Sequence, residues 1–325
     1  MKYLGVDVAK DSLEVADVSG SLGRAFPNTA AGIQGLLRWL SRSFPEEDLQ
    51  LVVEPTSTYH HPLIHALAAR QFAYTLINPA HTSAFARVQG KRAKTDRVDA
   101  RLLASLGESQ QPEPSSPPEE TQEGLKALRR HVEWLEKELQ AARNRLDSAS
   151  FSPWTPQTVL DSLERTIQQL EKEAQQVREA MATQQQQHPE WTHQVNLLTS
   201  IPGVGERTAT LLLTEMPPVA SCPSARSWVA FCGLNPEPRQ SGKGHYSRLS
   251  RVGTARVRAG LYLPAVSALR WNPAVRALGD RLRQRGKMGR VRIVAAMHKL
   301  LRLCFGVLKS GRPFDYSLHQ ATLPT

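Results

Sequence analysis

The chain has 325 residues, room for two or more domains, and its 41 Lys and Arg against 30 Asp and Glu leave a formal charge of +11. That excess points to a polyanionic partner. No apolar run approaches the roughly 20 residues that cross a bilayer, and Asp7 interrupts the segment where a secretory leader would need an apolar core, so a cytoplasmic protein without a membrane partner is expected. The three cysteines, Cys222, Cys232 and Cys304, form no CxxC pair, which argues against a disulfide framework or a zinc site.

Residues 1–109 read as an α/β domain. Tyr3–Val8 is a short apolar strand broken by Asp7. Leu13–Val18 alternates and predicts a second strand, antiparallel to the first. Ile33, Leu36, Leu37 and Leu40 mark a helix over 29–44. Leu49–Val53 is a buried strand ending at Glu54–Pro55. A helix over 57–70, a strand over 72–77 and two helices over 80–107 follow. The last helix opens on KTDRVDARLLA, with Asp96 and Asp99 in its first turn.

Residues 110–118, QQPEPSSPP at their core, read as a linker. Over 119–188 the apolar positions step three and four. Leu125, Leu128, Val132, Leu135, Leu139, Ala142 and Leu146 form one seam, and Leu160, Leu163, Ile167, Leu170, Ala174, Val177 and Met181 form a second. Each is a heptad seam, so a coiled-coil helical hairpin is expected, each helix roughly 40 Å long. It would pair with itself or with a second subunit. Residues 189–325 read as a mainly helical, basic domain. From Arg239 to Arg302 there are sixteen Lys and Arg and a single acid, Asp280. So one-sided a charge suits a phosphate-binding surface. Within LLTSIPGVGERTATLLLTE, a helix, a turn with Gly203 and Gly205 and a second helix resemble a helix-hairpin-helix element. Those glycines would let backbone N–H groups approach a phosphate; a plain helix–helix turn is the alternative.

Four acids carry the chemical reading. Asp7 lies inside an apolar strand, where a charge is costly unless paired or bound to metal. Glu54 ends a neighbouring strand. Asp96 and Asp99 share one helix face, though acids also suit a helix's first turn through its dipole. Carboxylates so placed converge in ribonuclease-H-like folds, where they hold Mg²⁺, a cation that takes oxygen ligands, with Mn²⁺ as a possible substitute.

The order GVDVAK, VEPTSTYH, KTDRVDARLLA, IPGVGERTA and QSGKGHYSRLSRVGTARVRAGLY resembles the DEDD-type transposases of bacterial insertion sequences, the IS110 family, whose members include bridge-RNA-guided recombinases. The resemblance implies a ribonuclease-H-like domain of the Holliday-junction-resolvase (RuvC-like) type, with a metal-binding tetrad of Asp7, Glu54, Asp96 and Asp99. It also implies a C-terminal transposase domain whose serine nucleophile maps onto Ser241, in a Gly-rich basic loop. Residues 249–254 depart from the family's usual tail there. Lys91, Arg92, Lys94, Gly203, Gly205, Arg239, Lys243, Arg248, Arg251, Arg256 and Arg258 are the expected nucleic-acid contacts; Arg97 and Arg101 would serve phosphates or offset the acids. His245 is a lesser participant and Tyr246 a rival nucleophile. The implied function is cutting and rejoining of DNA through a covalent phosphoserine, guided by an element-encoded RNA. The implied partners are double-stranded DNA, that guide RNA and further copies of the chain in a dimer or tetramer, at the bacterial nucleoid. The alternative is a structure-specific endonuclease in which the same acids activate water.

Overall fold

The computed structural model describes residues 1–45, 48–90, 95–241, 244–250, 252–287 and 289–317, with the backbone alone for 238–241 and 244–248. The chain divides into two compact units, Met1–Pro118 and Glu119–Thr325.

The first unit is built on a five-stranded sheet of order β3-β2-β1-β4-β5. Its strands are β1 (Lys2–Val8), β2 (Ser12–Ala16), β3 (Arg24–Pro27), β4 (Leu49–Val53) and β5 (Ala73–Leu76). β1 runs antiparallel to β2 and parallel to β4, and β4 is parallel to β5. This mixed sheet, wrapped by helices, is compatible with the ribonuclease-H-like expectation. β3 is an edge strand that the sequence does not announce, because RAFP lacks alternation.

Side chains alternate across a sheet, and β1 shows why that matters. Leu4, Val6 and Val8 join Leu13, Val15, Leu51 and Val53 in one core, against Leu36, Leu37 and Leu40 of α1 (Ala30–Ser43) and Leu63, Ile64 and Leu67 of α2 (His61–Ala69). On the opposite face Tyr3 and Val52 pack with Leu103 and Leu106. Those leucines belong to α4 (Asp96–Gln110), which follows α3 (Pro79–Val88). α2 starts at His61 rather than at residue 57: a turn precedes it, with Ser57 at φ 49°, and Pro62 stands in the first helical turn where proline is tolerated.

Residues 112–116 follow a left-handed Gln111 (φ 43°) and are bound along β5. Ser115 N donates to Tyr74 O at 2.7 Å and Thr75 Oγ1 donates to Glu113 O at 2.9 Å. The buried Gln50 Nε2 donates to Pro112 O at 2.8 Å.

In the second unit α5 (Glu120–Ser150) and α6 (Gln157–Gln186) pack as a hairpin. Leu125, Val132, Leu135, Ala142 and Ala174 of the two seams are buried, and the other seam residues are half-covered. The remainder comprises α7 (Pro189–Thr199), α8 (Glu206–Glu215), α9 (Ala225–Ala230), α10 (Ala255–Gly260), α11 (Tyr262–Trp271), α12 (Pro273–Gln284) and α13 (Arg290–Ser310). Leu125 of α5 belongs to the same core as Trp191, Leu198, Leu212, Trp228 and Leu300, so the base of the hairpin is part of this unit's interior. The segment expected to be a Gly-rich loop is a two-stranded ribbon, β6 (Pro236–Ser241) and β7 (Gly244–Leu249). Pro236, Pro238 and the glycines argue against a strand in the sequence, but an isolated ribbon has two free edges and tolerates proline.

Candidate active site

The site of the first unit lies where β1 and β4 end. Val6 pairs with Val53, the last pair of the parallel register, so Asp7 and Glu54 each follow it at the same end of their strands. Tyr3, Val52 and the α4 leucines fix that face of the sheet, and alternation puts Asp7 and Glu54 on it as well.

α4 runs antiparallel to β1 across this face. A Cβ on Gly107 would lie 2.7 Å from the Tyr3 ring, near the start of β1. A Cβ on Gly5 would strike the Ala100 carbonyl oxygen and lie 2.6 Å from Ala104 N and 2.8 Å from Leu103 Cβ. Glycine at position 5 is therefore what lets the helix backbone touch the strand. Going back along α4 from Leu103, Asp99 and Asp96 lie four and seven residues earlier, at the helix end whose charges act on Asp7. Thr95 caps this end, its Oγ1 accepting from Val98 N at 3.3 Å. Two further close approaches seat the helix. Arg97 Nη2 donates to Gly20 O at 3.2 Å, and the Arg101 side chain lies against Gly20. These two arginines are thus engaged with the turn between β2 and β3.

Electrostatics ties the four acids together. The Asp7 carboxyl is raised from 3.8 to about 6, first by burial and then by the negative charges of Asp99, Asp96 and Glu54. Asp7, Glu54 and Asp99 are half-buried and Asp96 is exposed. Among the described residues no three acids, histidines or cysteines are drawn close enough to hold one ion as they stand. The donor set, all oxygen and all anionic, suits a hard divalent cation.

In the second unit Ser241 is the last residue of β6, opposite Gly244, and Arg239 and Gln240 pair with Tyr246 and His245. The side chains of Arg239, Ser241, His245, Tyr246 and Arg248 lie outside the described residues, as do Lys91, Arg92, Lys94, Lys243 and Arg251 altogether. Gly203 has φ +100°, and a Cβ there would lie 2.8 Å from Ala268 Cβ, so it serves packing against α11. Gly205 precedes α8 in open space.

Arg256 and Arg258 are engaged inside the unit. Arg258 Nη1 donates to Cys232 O at 2.8 Å, and Arg256 Nη1 donates to Glu133 Oε2 at 2.6 Å. Arg256 belongs to a network absent from the sequence reading. The buried Glu215 at the end of α8 accepts from Arg129 and, at 2.8 and 2.7 Å, from Arg130 Nε and Nη2. Glu136 accepts from Arg178 at 3.0 Å and Arg207 at 2.6 Å. Burial would raise the Glu215 carboxyl, but hydrogen bonds and charge from Arg130, with charge from Arg129, hold it below the usual carboxylate range. Partners 85 residues apart leave no local signal, and alternating Arg and Glu on α5 look like an ordinary solvated face.

Comparison with known proteins finds two family models along the chain. Residues 4–149 match the DEDD transposase model of the IS110 type, and residues 195–280 match the transposase model of the IS116/IS110/IS902 family. The pilin gene-inverting proteins of Moraxella bovis and Moraxella lacunata are each 29% identical over 98% of this chain and 99% of their own length. An insertion element IS110 protein of 43.6 kDa from Streptomyces coelicolor is 31% identical over 37% of this chain and 30% of its own length. The acids of the first unit fall inside the first match, and the β6–β7 ribbon inside the second. The chain belongs to the IS110 family of transposases.

Proposed function

We propose that this DNA transposase cuts and rejoins DNA through a phosphoserine formed on Ser241, with Asp7, Glu54, Asp96 and Asp99 as the residues that hold Mg²⁺ or Mn²⁺. The observation that carries the cation site is the raised Asp7 carboxyl, driven in part by the other three acids. A divalent cation bound there would supply charge stabilisation to a phosphodiester under attack and help ionise a hydroxyl. The Ser241 Oγ attacks phosphorus, its proton leaves to a base, and one DNA strand departs as a free hydroxyl end. The serine ester keeps the energy of the broken bond for rejoining. Support for Ser241 is the family resemblance and its place at the tip of the basic ribbon.

The pilin gene-inverting relatives carry inversion in their names, which favours recombination with rejoining over simple hydrolysis. Arg239, Lys243, Arg248 and Arg251 on and beside the ribbon, Lys91, Arg92 and Lys94 before α4, and Gly205 at α8 are the proposed phosphate contacts. Arg256 and Arg258 are reassigned to holding the unit together, as is Gly203. The reading includes an element-encoded guide RNA, assembly as a dimer or tetramer through the half-covered seam of the hairpin, and work at the bacterial nucleoid. The domain limits proposed are 1–109, 119–188 and 189–325, with 110–118 between.

The test is covalent trapping. Protein, co-expressed RNA, Mg²⁺ and labelled element-junction DNA are combined and run on a denaturing gel. An adduct in the wild type that is lost in Ser241→Ala and Asp7→Ala is expected. Cleavage that survives Ser241→Ala without any adduct would establish the hydrolytic endonuclease instead.

A further inference from the structure

Three segments meet at one side chain beside the acidic site. β1 carries Asp7 and runs out through Ala9 into the turn to β2; β4 is followed by Glu54 and then by the turn that opens α2. Asn28 stands at the junction of β3 and α1. Its Nδ2 donates to Ala9 O at 2.9 Å and to Tyr59 O at 3.0 Å, and its backbone N donates to Asp11 O at 3.0 Å. One amide group therefore ties the stretch just beyond Asp7 to the stretch just beyond Glu54.

Both side-chain partners are carbonyl oxygens, which only accept, so the nitrogen of the amide must face them. Its Oδ1 is then buried without a hydrogen-bond partner. A buried acceptor left unmade is costly, and each one in a native fold asks for a reason. The turn after Glu54 is also strained. Ser57 has φ 49°, and bonds of 3.1 Å from Tyr59 N to Thr56 O and from His61 N to Thr58 O close the turn around it. Strain of this kind persists where the surroundings over-determine the backbone, and the Asn28 bond to Tyr59 O is one such restraint.

The need for a tie follows from the register. The β1–β4 ladder ends at Val6 and Val53, so it does not itself set the separation of the two acids that come next. We propose that Asn28 is a positioning residue of the acidic site: its amide fixes the ends of β1 and β4 relative to each other, so that Asp7 and Glu54 reach one cation. This role presupposes that Asp7, Glu54, Asp96 and Asp99 hold that cation. Asn28 does not touch it and acts through the backbone, as the outer partners of metal ligands do; loss of such partners lowers metal affinity by roughly ten- to a hundredfold.

Asn28→Ala removes both donors, and Asn28→Leu removes them while filling the space. Leu40→Val, at the other end of α1, loses a buried methylene and lowers stability without touching the tie. Mn²⁺ is titrated calorimetrically into each full-length variant at pH 7.5. Unfolding midpoints are taken in EDTA, and amide hydrogen exchange of the metal-free protein is followed over residues 8–12 and 54–61. Both Asn28 variants are expected to bind Mn²⁺ at least about tenfold more weakly than wild type, with faster exchange in both segments. Leu40→Val is expected to bind as wild type does despite its lower midpoint. Wild-type affinity in the Asn28 variants, or an equal loss in Leu40→Val, would overturn the role. A wild type without saturable Mn²⁺ binding would remove the cation reading instead. Exchange then decides the tie by itself: faster exchange in both segments upholds it, and unchanged exchange overturns it.

Discussion

Replacing Asp7 by asparagine should stabilise the metal-free protein near neutral pH. The Asp7 carboxyl titrates at about 6 in the fold and at 3.8 in the reference state. The folded chain therefore keeps its proton where the unfolded chain has lost it. Its contribution is fully present below about pH 3.8 and declines as pH rises to about 6. A shift of about two units corresponds to roughly 3 kcal/mol for a sealed group. Asp7 is half-buried, and solvent screening reduces the figure to about 1 kcal/mol. Urea unfolding in EDTA should show the variant more stable by about 1 kcal/mol at pH 7.5, a midpoint shift of roughly 0.5 M. At pH 3.5 the two should coincide. Adding Mg²⁺ should reverse the order at pH 7.5, because ligand stabilises only a chain that binds it. Equal stability at pH 7.5, or an equal gain at both pH values, would refute the reasoning.

Three further outcomes follow from the packing. Gly5→Ala should cost about 2 kcal/mol or more by forcing α4 off β1, and DNA cleavage should fall more than unfolding alone explains; a variant as active and stable as wild type would mean the helix is not held there. Glu215→Ala should cost about 3 kcal/mol, because the buried Arg129 keeps Thr214 and Glu133 but loses its closest carboxylate. Since the Glu215 carboxyl is held below the usual range, the cost should persist at neutral pH and shrink only as pH falls below that range, which chemical unfolding at pH 7 and about pH 3 reads. Leu135→Asp puts a charge at a buried seam position, 2% exposed. It should lower helix content by circular dichroism and shift the sedimentation profile toward monomer. An unchanged profile would remove the hairpin from assembly.

The two heptad seams are legible because their apolar period is long and uninterrupted, and the central strands because each is a dense apolar run of a few residues. The acids stood out for the opposite reason: Asp7 breaks an apolar strand and Glu54 ends another. What joins them was hidden. Contact at Gly5, Gly20 and Gly107 depends on an absent side chain, and a glycine in sequence looks the same whether a turn or a helix needs it. The ribbon carrying Ser241 was hidden by prolines and glycines that usually end strands. Basic neighbours make Arg256 and Arg258 look like phosphate contacts in the sequence; in the fold Arg256 meets Glu133 and Arg258 a carbonyl. Charge counts say how much a segment carries, and only the fold says which charges are already answered.

The most direct test of the central claim is calorimetric titration of Mn²⁺ into the full-length protein at pH 7.5, with wild type beside Asp7→Asn, Glu54→Gln, Asp96→Asn and Asp99→Asn. The account predicts saturable binding in the wild type, weakened at least tenfold by each substitution. Binding that survives unchanged in Asp7→Asn, or in Asp96→Asn and Asp99→Asn together, would contradict a cation site shared by these four acids.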